Sequence, residues 1–385
     1  MERRPDRYSL VQQLAACSIT LATMMPTILQ PLLLGALVRE GRLDPVQLGQ
    51  AATAEQLGMA LTAFCAGAWL RPVNLRPILL ATLSLCAAAN LATSFLAGQQ
   101  IILARLLSGL AAGTAIWLII SMVARAEWPA RFMGLYVTSQ SLIALLLSAI
   151  LSLVLLPVFG ATGGLQAIAA FILLTTICLP AIPSRLSELP VSSHGWVPPA
   201  TGTLGLVVVA LYMGAGLSIW VYVLPLAAMS GITPNIANAA VSVGIAGQVL
   251  GGLAAIYIRG QSAPKVLMVC AAVELAASAT IMLASSSPLF IVAGFLFCFG
   301  LTLGVSFLIP FLEVLDPSRR AGALCGSAQL LGQSFGAYCA STVVGRLGVH
   351  GAGYTGIVLL VLVLAIIFTS LTLTMSKRYR HRFST

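Results

Sequence analysis

Three ionisable side chains interrupt long apolar stretches of this sequence: Glu55, Arg105 and Glu274. A charge inside an apolar segment is costly unless it is paired or wetted, so each is a candidate for chemistry. Arg105 is followed at helical spacing by Gly109 and Ala112, which leaves bare backbone beside its guanidinium. Such a cation can bind an anionic group of a solute or couple to a carboxylate that exchanges a proton. Its structural alternative is a cap on a neighbouring helix. Glu274 shares a helical face with Cys270, Ala271, Ala277 and Ser278, a surface suited to packing against protein rather than lipid. A carboxyl there could carry a proton or sit as a neutral acid with a structural hydrogen bond. Glu55, with Met59 and Thr62 on its face, is either a proton site at the mouth of a cavity or a wetted helix start. Glu313 and Asp316 stand beside Arg319 and Arg320, giving either gate salt bridges or exposed loop ion pairs.

Other chemistries are missing their residues. A phosphate-binding loop needs Gly-Lys-Ser/Thr, but Lys265 follows Pro264 and Lys377 follows Ser376. ATP-driven transport by this chain alone is therefore excluded. No His precedes a Glu, so the zinc-protease motif is absent. The eight cysteines all fall in apolar runs without Cys-x-x-Cys spacing, and read as small apolar residues. The chain is read as a non-enzyme, with no metal and no cofactor.

The elements that must position these residues follow from composition. The chain has 385 residues, 59% hydrophobic and 8% charged, with a mean hydropathy of +1.01. A soluble domain carries about 25% charged residues, so a soluble enzyme, a disordered chain and a nucleic-acid binder are excluded. Cutting the apolar runs at charges and Gly/Pro breaks predicts an all-α membrane protein of twelve spans. They fall near 10–36, 50–70, 77–97, 100–123, 132–157, 163–182, 204–228, 234–258, 266–286, 288–312, 321–344 and 354–375. The apolar stretch before Cys17 is short and holds Gln12 and Gln13, so no signal cleavage is expected there. With twelve spans, 16 of the 20 Lys and Arg residues lie on one side. The bias of basic residues towards cytoplasmic loops then places both termini inside. The Pro- and Ser-containing segment 184–203 is the natural cytoplasmic linker between six-helix halves at 1–183 and 204–385.

The halves repeat. Pro129-Ala-Arg131-Phe-Met-Gly134, with Ser139 and Leu142, matches Pro317-Ser-Arg319-Arg-Ala-Gly322, with Ser327 and Leu330, at an offset of 188. Gly109 and Gly113 match Gly300 and Gly304 at an offset of 191. With Arg105-Leu-Leu-Ser-Gly109-Leu-Ala-Ala-Gly113 in the fourth span, the chain resembles the major facilitator superfamily over essentially its whole length. The loops after spans two and eight, running to Arg71 and Arg76 and to Arg259, sit where that family's acidic and basic gate motif belongs. Both lack the acidic residue. The Gly-Pro-Gly signature of drug/proton antiporters is also absent from span five.

The resemblance implies two pseudo-symmetric six-helix bundles rocking about a central cavity lined by spans one, four, seven and ten. Span one carries a polar stripe of Thr20, Thr23, Thr27 and Gln30. Trp117, Tyr136, Gln140, Trp220, Tyr222, Phe299, Thr302 and Gln333 complete, with Arg105, the expected substrate-binding set. Hydrogen bonding between helices is the alternative for its Thr and Gln members. Pro26, Pro31 and Pro310 permit bending of a moving wall. Glu274 and Glu55 are the proton-coupling candidates, and Arg71, Arg131, Glu313, Asp316 and Arg319 the gate candidates. The expected function is secondary transport of a small anionic or amphipathic aromatic solute by alternating access, coupled to protons. A proton-driven efflux antiporter for lipophilic compounds is the alternative. Expected partners are the solute, protons and the bilayer of a plasma (inner) membrane, with no nucleic acid and a monomeric chain.

Overall fold

The computed structural model describes residues 7–69, 73–187, 197–258, 261–284 and 286–382, apart from the side chains of 67–69, 129–130 and 370–382. The described residues are overwhelmingly helical, and the one pairing of β type is an isolated bridge between Val73 and Arg185. They divide into two compact units, Met1–Gly195 and Trp196–Thr385.

In the first unit, α1 (Leu10–Ile28) starts at a capping box in which Ser9 and Gln12 each satisfy the other's backbone amide. It ends one residue before α2 (Gln30–Arg39), at a bend of 40°. Pro31 near the start of α2 cannot donate to the preceding turn, which explains a break in what the sequence reads as one span. A second capping box, Asp44 with Gln47, starts α3 (Pro45–Trp69) five residues before the expected boundary. α4 (Leu75–Thr93) and α5 (Gln99–Val123) follow. α6 (Pro129–Ile150) runs through a π turn at Leu151–Leu155 into α7 (Leu156–Leu174), which passes into a 3-10 turn at Thr175–Ala181. The helical path is interrupted at Gly160, whose φ of 63° and ψ of −162° suit glycine alone. Glu40 accepts a 2.6 Å hydrogen bond from the Ala161 amide at this break.

The second unit comprises α8 (Ala200–Trp220), α9 (Val223–Met229), α10 (Pro234–Tyr257), α11 (Ala263–Leu283), α12 (Ser287–Leu315), α13 (Arg320–Leu347) and α14 (His350–Arg382). Tyr212, Phe311, Leu312, Val363 and Ile367 are among the buried side chains of its core.

Eight helical stretches are long and apolar enough to cross a membrane, or nine counting the bent α1–α2 pair. The difference from twelve has two sources. Residues 131–181 form one long helical stretch in which the expected fifth and sixth spans merge. α3 and α13 are not among these stretches, for they are richer in Gln, Thr, Ser and small residues.

Within each unit, helices meet through glycine. A Cβ at Gly109 would collide with the Glu55 carbonyl, and one at Gly113 with Met59 and Thr62, so α5 lies against the α3 backbone. In the second unit Gly247 and Gly251 bring α10 onto the carbonyls of Phe295 and Phe299, while Gly332 and Gly336 bring α13 onto Ala210 and Gly214 of α8. Small residues serve this purpose in membranes, where apolar burial gives helices no preference for each other over lipid.

Candidate functional site

The close approach of α3 and α5 builds a buried polar network in the first unit. Arg105 is 1% exposed and Glu55 is 0% exposed, and their charges meet at 3.3 Å. Arg105 also donates to Asn90 Oδ1 at 2.9 Å and to Thr93 Oγ1 at 3.1 Å, both one turn apart on α4. Glu55 accepts further hydrogen bonds from the Ser108 hydroxyl at 3.0 Å and the Gln30 amide at 2.7 Å. Four helices converge on one ion pair. Arg105 and Ser108 sit three residues apart on the α5 face that Gly109 exposes to α3. Gln30 arrives from the first residue after the α1–α2 break. The carboxylate is neutralised and bonded at both oxygens, whereas Arg105 Nε, Gln30 Oε1, both amide atoms of Gln56 and the Thr27 hydroxyl have no hydrogen-bond partner.

This geometry shows what surrounds Arg105 and Glu55. The bare backbone beside Arg105 is filled by α3, and the cation is coupled to a carboxylate. Glu55 lies deep in the protein rather than at a wetted helix start. Sequence reasoning missed Asn90, Thr93 and Ser108. Asn90 carried a signal, as an amide in the middle of an apolar span that needs a partner there.

Glu274 is the second buried acid, and its surroundings differ. It is 0% exposed, no described cation pairs with it, and neither carboxyl oxygen has a hydrogen-bond partner. It packs against Gly300 of α12, where a Cβ would stand 3.3 Å from its Cγ. Beside it, the Tyr212 hydroxyl from α8 donates to the Gly300 carbonyl at 3.0 Å. A phenol has one proton to give. With that hydrogen bond made to Gly300, the hydroxyl has no proton left to donate to Glu274.

The remaining candidates are scattered. Thr20 donates to the Ala115 carbonyl, and Thr23, fully buried, returns its hydroxyl to Thr20 of its own helix. Trp117 and Gln140 are half-buried and Tyr136 is buried. In the second unit Trp220 and Tyr222 are buried around the break between α8 and α9, and Trp220 packs at Gly244. Phe299 stacks on Phe295 with ring centres 6.3 Å apart, and Thr302 and Gln333 are half-buried.

The gate candidates divide. Arg71 lies outside the described residues. Arg131 is exposed. Glu313 and Arg319 form an exposed ion pair at 3.4 Å inside the second unit. Asp316 is buried and accepts from the Ser318 hydroxyl, the Ser318 amide and the Ala321 amide in the first turn of α13. The Ser318 hydroxyl and these amides hold its carboxyl below the usual aspartate value. Both acids are thus engaged with their own unit.

No family model matches the chain, and no curated protein is similar to it. The arrangement of helices has a counterpart among solved structures. The nucleoside transporter NupG, crystallised as a point mutant, shares it with a TM-score of 0.68. The likeness covers 94% of this chain and 99% of that one at 14% identity, a similarity of fold.

Proposed function

We propose that the chain is a proton-coupled secondary transporter that moves a small, neutral, amphipathic aromatic solute by alternating access. The observation that supports this reading is the unequal state of its two buried acids. Glu55 is ion-paired with Arg105. Glu274 has neither a cation nor a hydrogen-bond donor, and a bare charge in such a place is prohibitively costly. Glu274 is therefore the acid that holds a proton at rest, and releasing it requires water or a partner to reach the site.

The engagement of Arg105 also bears on the solute. It is the one cation inside the spans read from the sequence, and its charge is balanced by Glu55. An anionic solute loses its expected partner, and the amphipathic aromatic reading is favoured. A nucleoside, the solute of the structurally similar transporter, belongs to that class, with a heteroaromatic base and a hydroxylated sugar. Trp117, Tyr136, Trp220, Tyr222 and Phe299 are the aromatic candidates to stack against it. Thr27, Gln30, Gln140, Thr302 and Gln333 are the candidates to hydrogen-bond it.

In this reading the helices make twelve spans in two six-helix bundles, 1–183 and 204–385, joined by a cytoplasmic linker. The pairs α1–α2 and α8–α9 each count as one broken span, and Gly160 divides the long stretch from residue 131 to 181. The excess of Lys and Arg in alternate connections supports cytoplasmic termini in a plasma membrane.

The test uses purified protein in liposomes with an imposed pH gradient and radiolabelled uridine as the first solute of an aromatic panel. Wild-type protein is expected to accumulate solute against its gradient only while the proton gradient lasts. Glu274→Gln is expected to retain downhill exchange and lose accumulation. Accumulation by Glu274→Gln at the wild-type level would remove the carrier role, and indifference of every solute to the gradient would remove the coupling.

A further inference from the structure

We infer that a cavity at one end of the first unit is a binding site for a phosphate-bearing anion, supplied by the headgroup of an anionic phospholipid. The cavity, about 280 Å³, lies between the start of α1 and the connection from α5 to α6. Arg7, Tyr8, Gln13, Glu127, Trp128 and Arg131 line it. Two guanidiniums against one carboxylate leave a net positive charge. That carboxylate is already committed, because Arg7 holds Glu127 through contacts of 3.0 Å and 3.3 Å. Arg131 has no ion-pair partner among the described residues. It also stands in the first turn of α6, which carries no acidic residue and no side-chain cap. The helix dipole opposes a cation there, and an anion seated in the cavity relieves both charges. A guanidinium fork suits a phosphate, which it can bind through two parallel hydrogen bonds.

The surroundings point to a lipid as the source. Trp128 is 67% exposed, and Leu10, Val11 and Leu14 expose an apolar strip on the first turns of α1 directly after Tyr8. An exposed indole beside apolar side chains and arginines fits the boundary between headgroups and acyl chains. A headgroup in the cavity would leave its chains along that strip. The sequence places this end among the cytoplasmic connections, where basic pockets at helix ends meet anionic lipids.

The full chain is placed in phosphatidylcholine nanodiscs titrated with phosphatidylglycerol, and its melting temperature is followed. A saturable rise is expected for the wild type. In Arg131→Gln the half-saturating fraction should increase about tenfold, as for loss of one charged hydrogen-bonding group. Arg346→Gln, at the far end of α13, should match the wild type. Native mass spectrometry of the same samples reads lipid retention without reference to stability: one phosphatidylglycerol kept by the wild type and lost by Arg131→Gln. Equal retention by the two proteins, or no rise in the wild type, overturns the site. Inorganic phosphate in pure phosphatidylcholine should give no rise. A rise there that depends on Arg131 keeps the anion site and overturns the lipid as its source.

Discussion

At the scale of single residues, the first unit stores its charge as a pair with almost no exposure, and removing one member leaves the other bare. Arg105→Gln or Glu55→Gln alone should cost about 3–5 kcal/mol of stability, the usual penalty for breaking a buried pair. The double variant should lose clearly less than the sum, because two neutral amides no longer oppose each other's burial. Thermal unfolding of the four proteins in one detergent measures this, and additive losses would show that the two side chains act independently. Asp316 gives a prediction in pH. Its hydrogen bonds from Ser318 and Ala321 lower its folded value, so folding favours the anion. That contribution is complete above the unfolded aspartate value, about 4, and is lost as pH falls through the lower folded value. The melting temperature of the wild type should therefore drop with acidification across that window, and Asp316→Asn should start lower at neutral pH with a flatter acid limb. Equal acid limbs would remove Asp316 as the cause.

At the scale of elements, glycine decides which helices touch. Gly109→Val should push α5 off the Glu55 carbonyl and, with it, pull Arg105 from its partner. A loss comparable to breaking the ion pair is expected. Gly134 is the contrasting case, since a Cβ there meets nothing within 4 Å. On the exposed face of α6, Gly134→Ala should stabilise by about 0.4–1 kcal/mol through helix propensity and a more restricted unfolded chain. The two variants, compared by thermal unfolding, separate contact from propensity, and a similar outcome for both would mean that packing between α3 and α5 is not set by Gly109. Where the sequence failed at this scale, the failures are local. The break at Leu29 and the early start of α3 depend on Pro31 and on the Asp44–Gln47 box, both present in the sequence. A hydropathy reading passes over them because it averages across several turns.

At the scale of the whole molecule, orientation is the consequence most open to measurement. The distribution of Lys and Arg predicts that a reporter fused after Thr385 reads as cytoplasmic and one inserted in the connection near Arg346 reads as external. Readings on the same side would overturn the span count, since Arg346 and the C-terminal tail are separated by the last span alone. Twelve spans and nine give different answers to this experiment. The distinction rests on whether α3 and α13 cross the bilayer and on whether residues 131–181 cross it once or twice.

Composition, the order of apolar stretches and the internal repeat were readable from the chain itself, because burial in lipid is enforced residue by residue and leaves its mark on local sequence. Arg105, Glu55 and Glu274 stood out for the same reason, as charges where charge is costly. Their partners were decided by tertiary structure alone. Glu55 and Arg105 are fifty residues apart, and their meeting depends on Gly109 letting two helices close. Glu274 differs from Glu55 only in what the neighbouring helices bring to it: Tyr212 donates its hydrogen bond to the Gly300 carbonyl instead, and no described cation pairs with it. Periodicity tells which face of a helix is polar, but the partner of that face is set by packing between segments far apart in sequence.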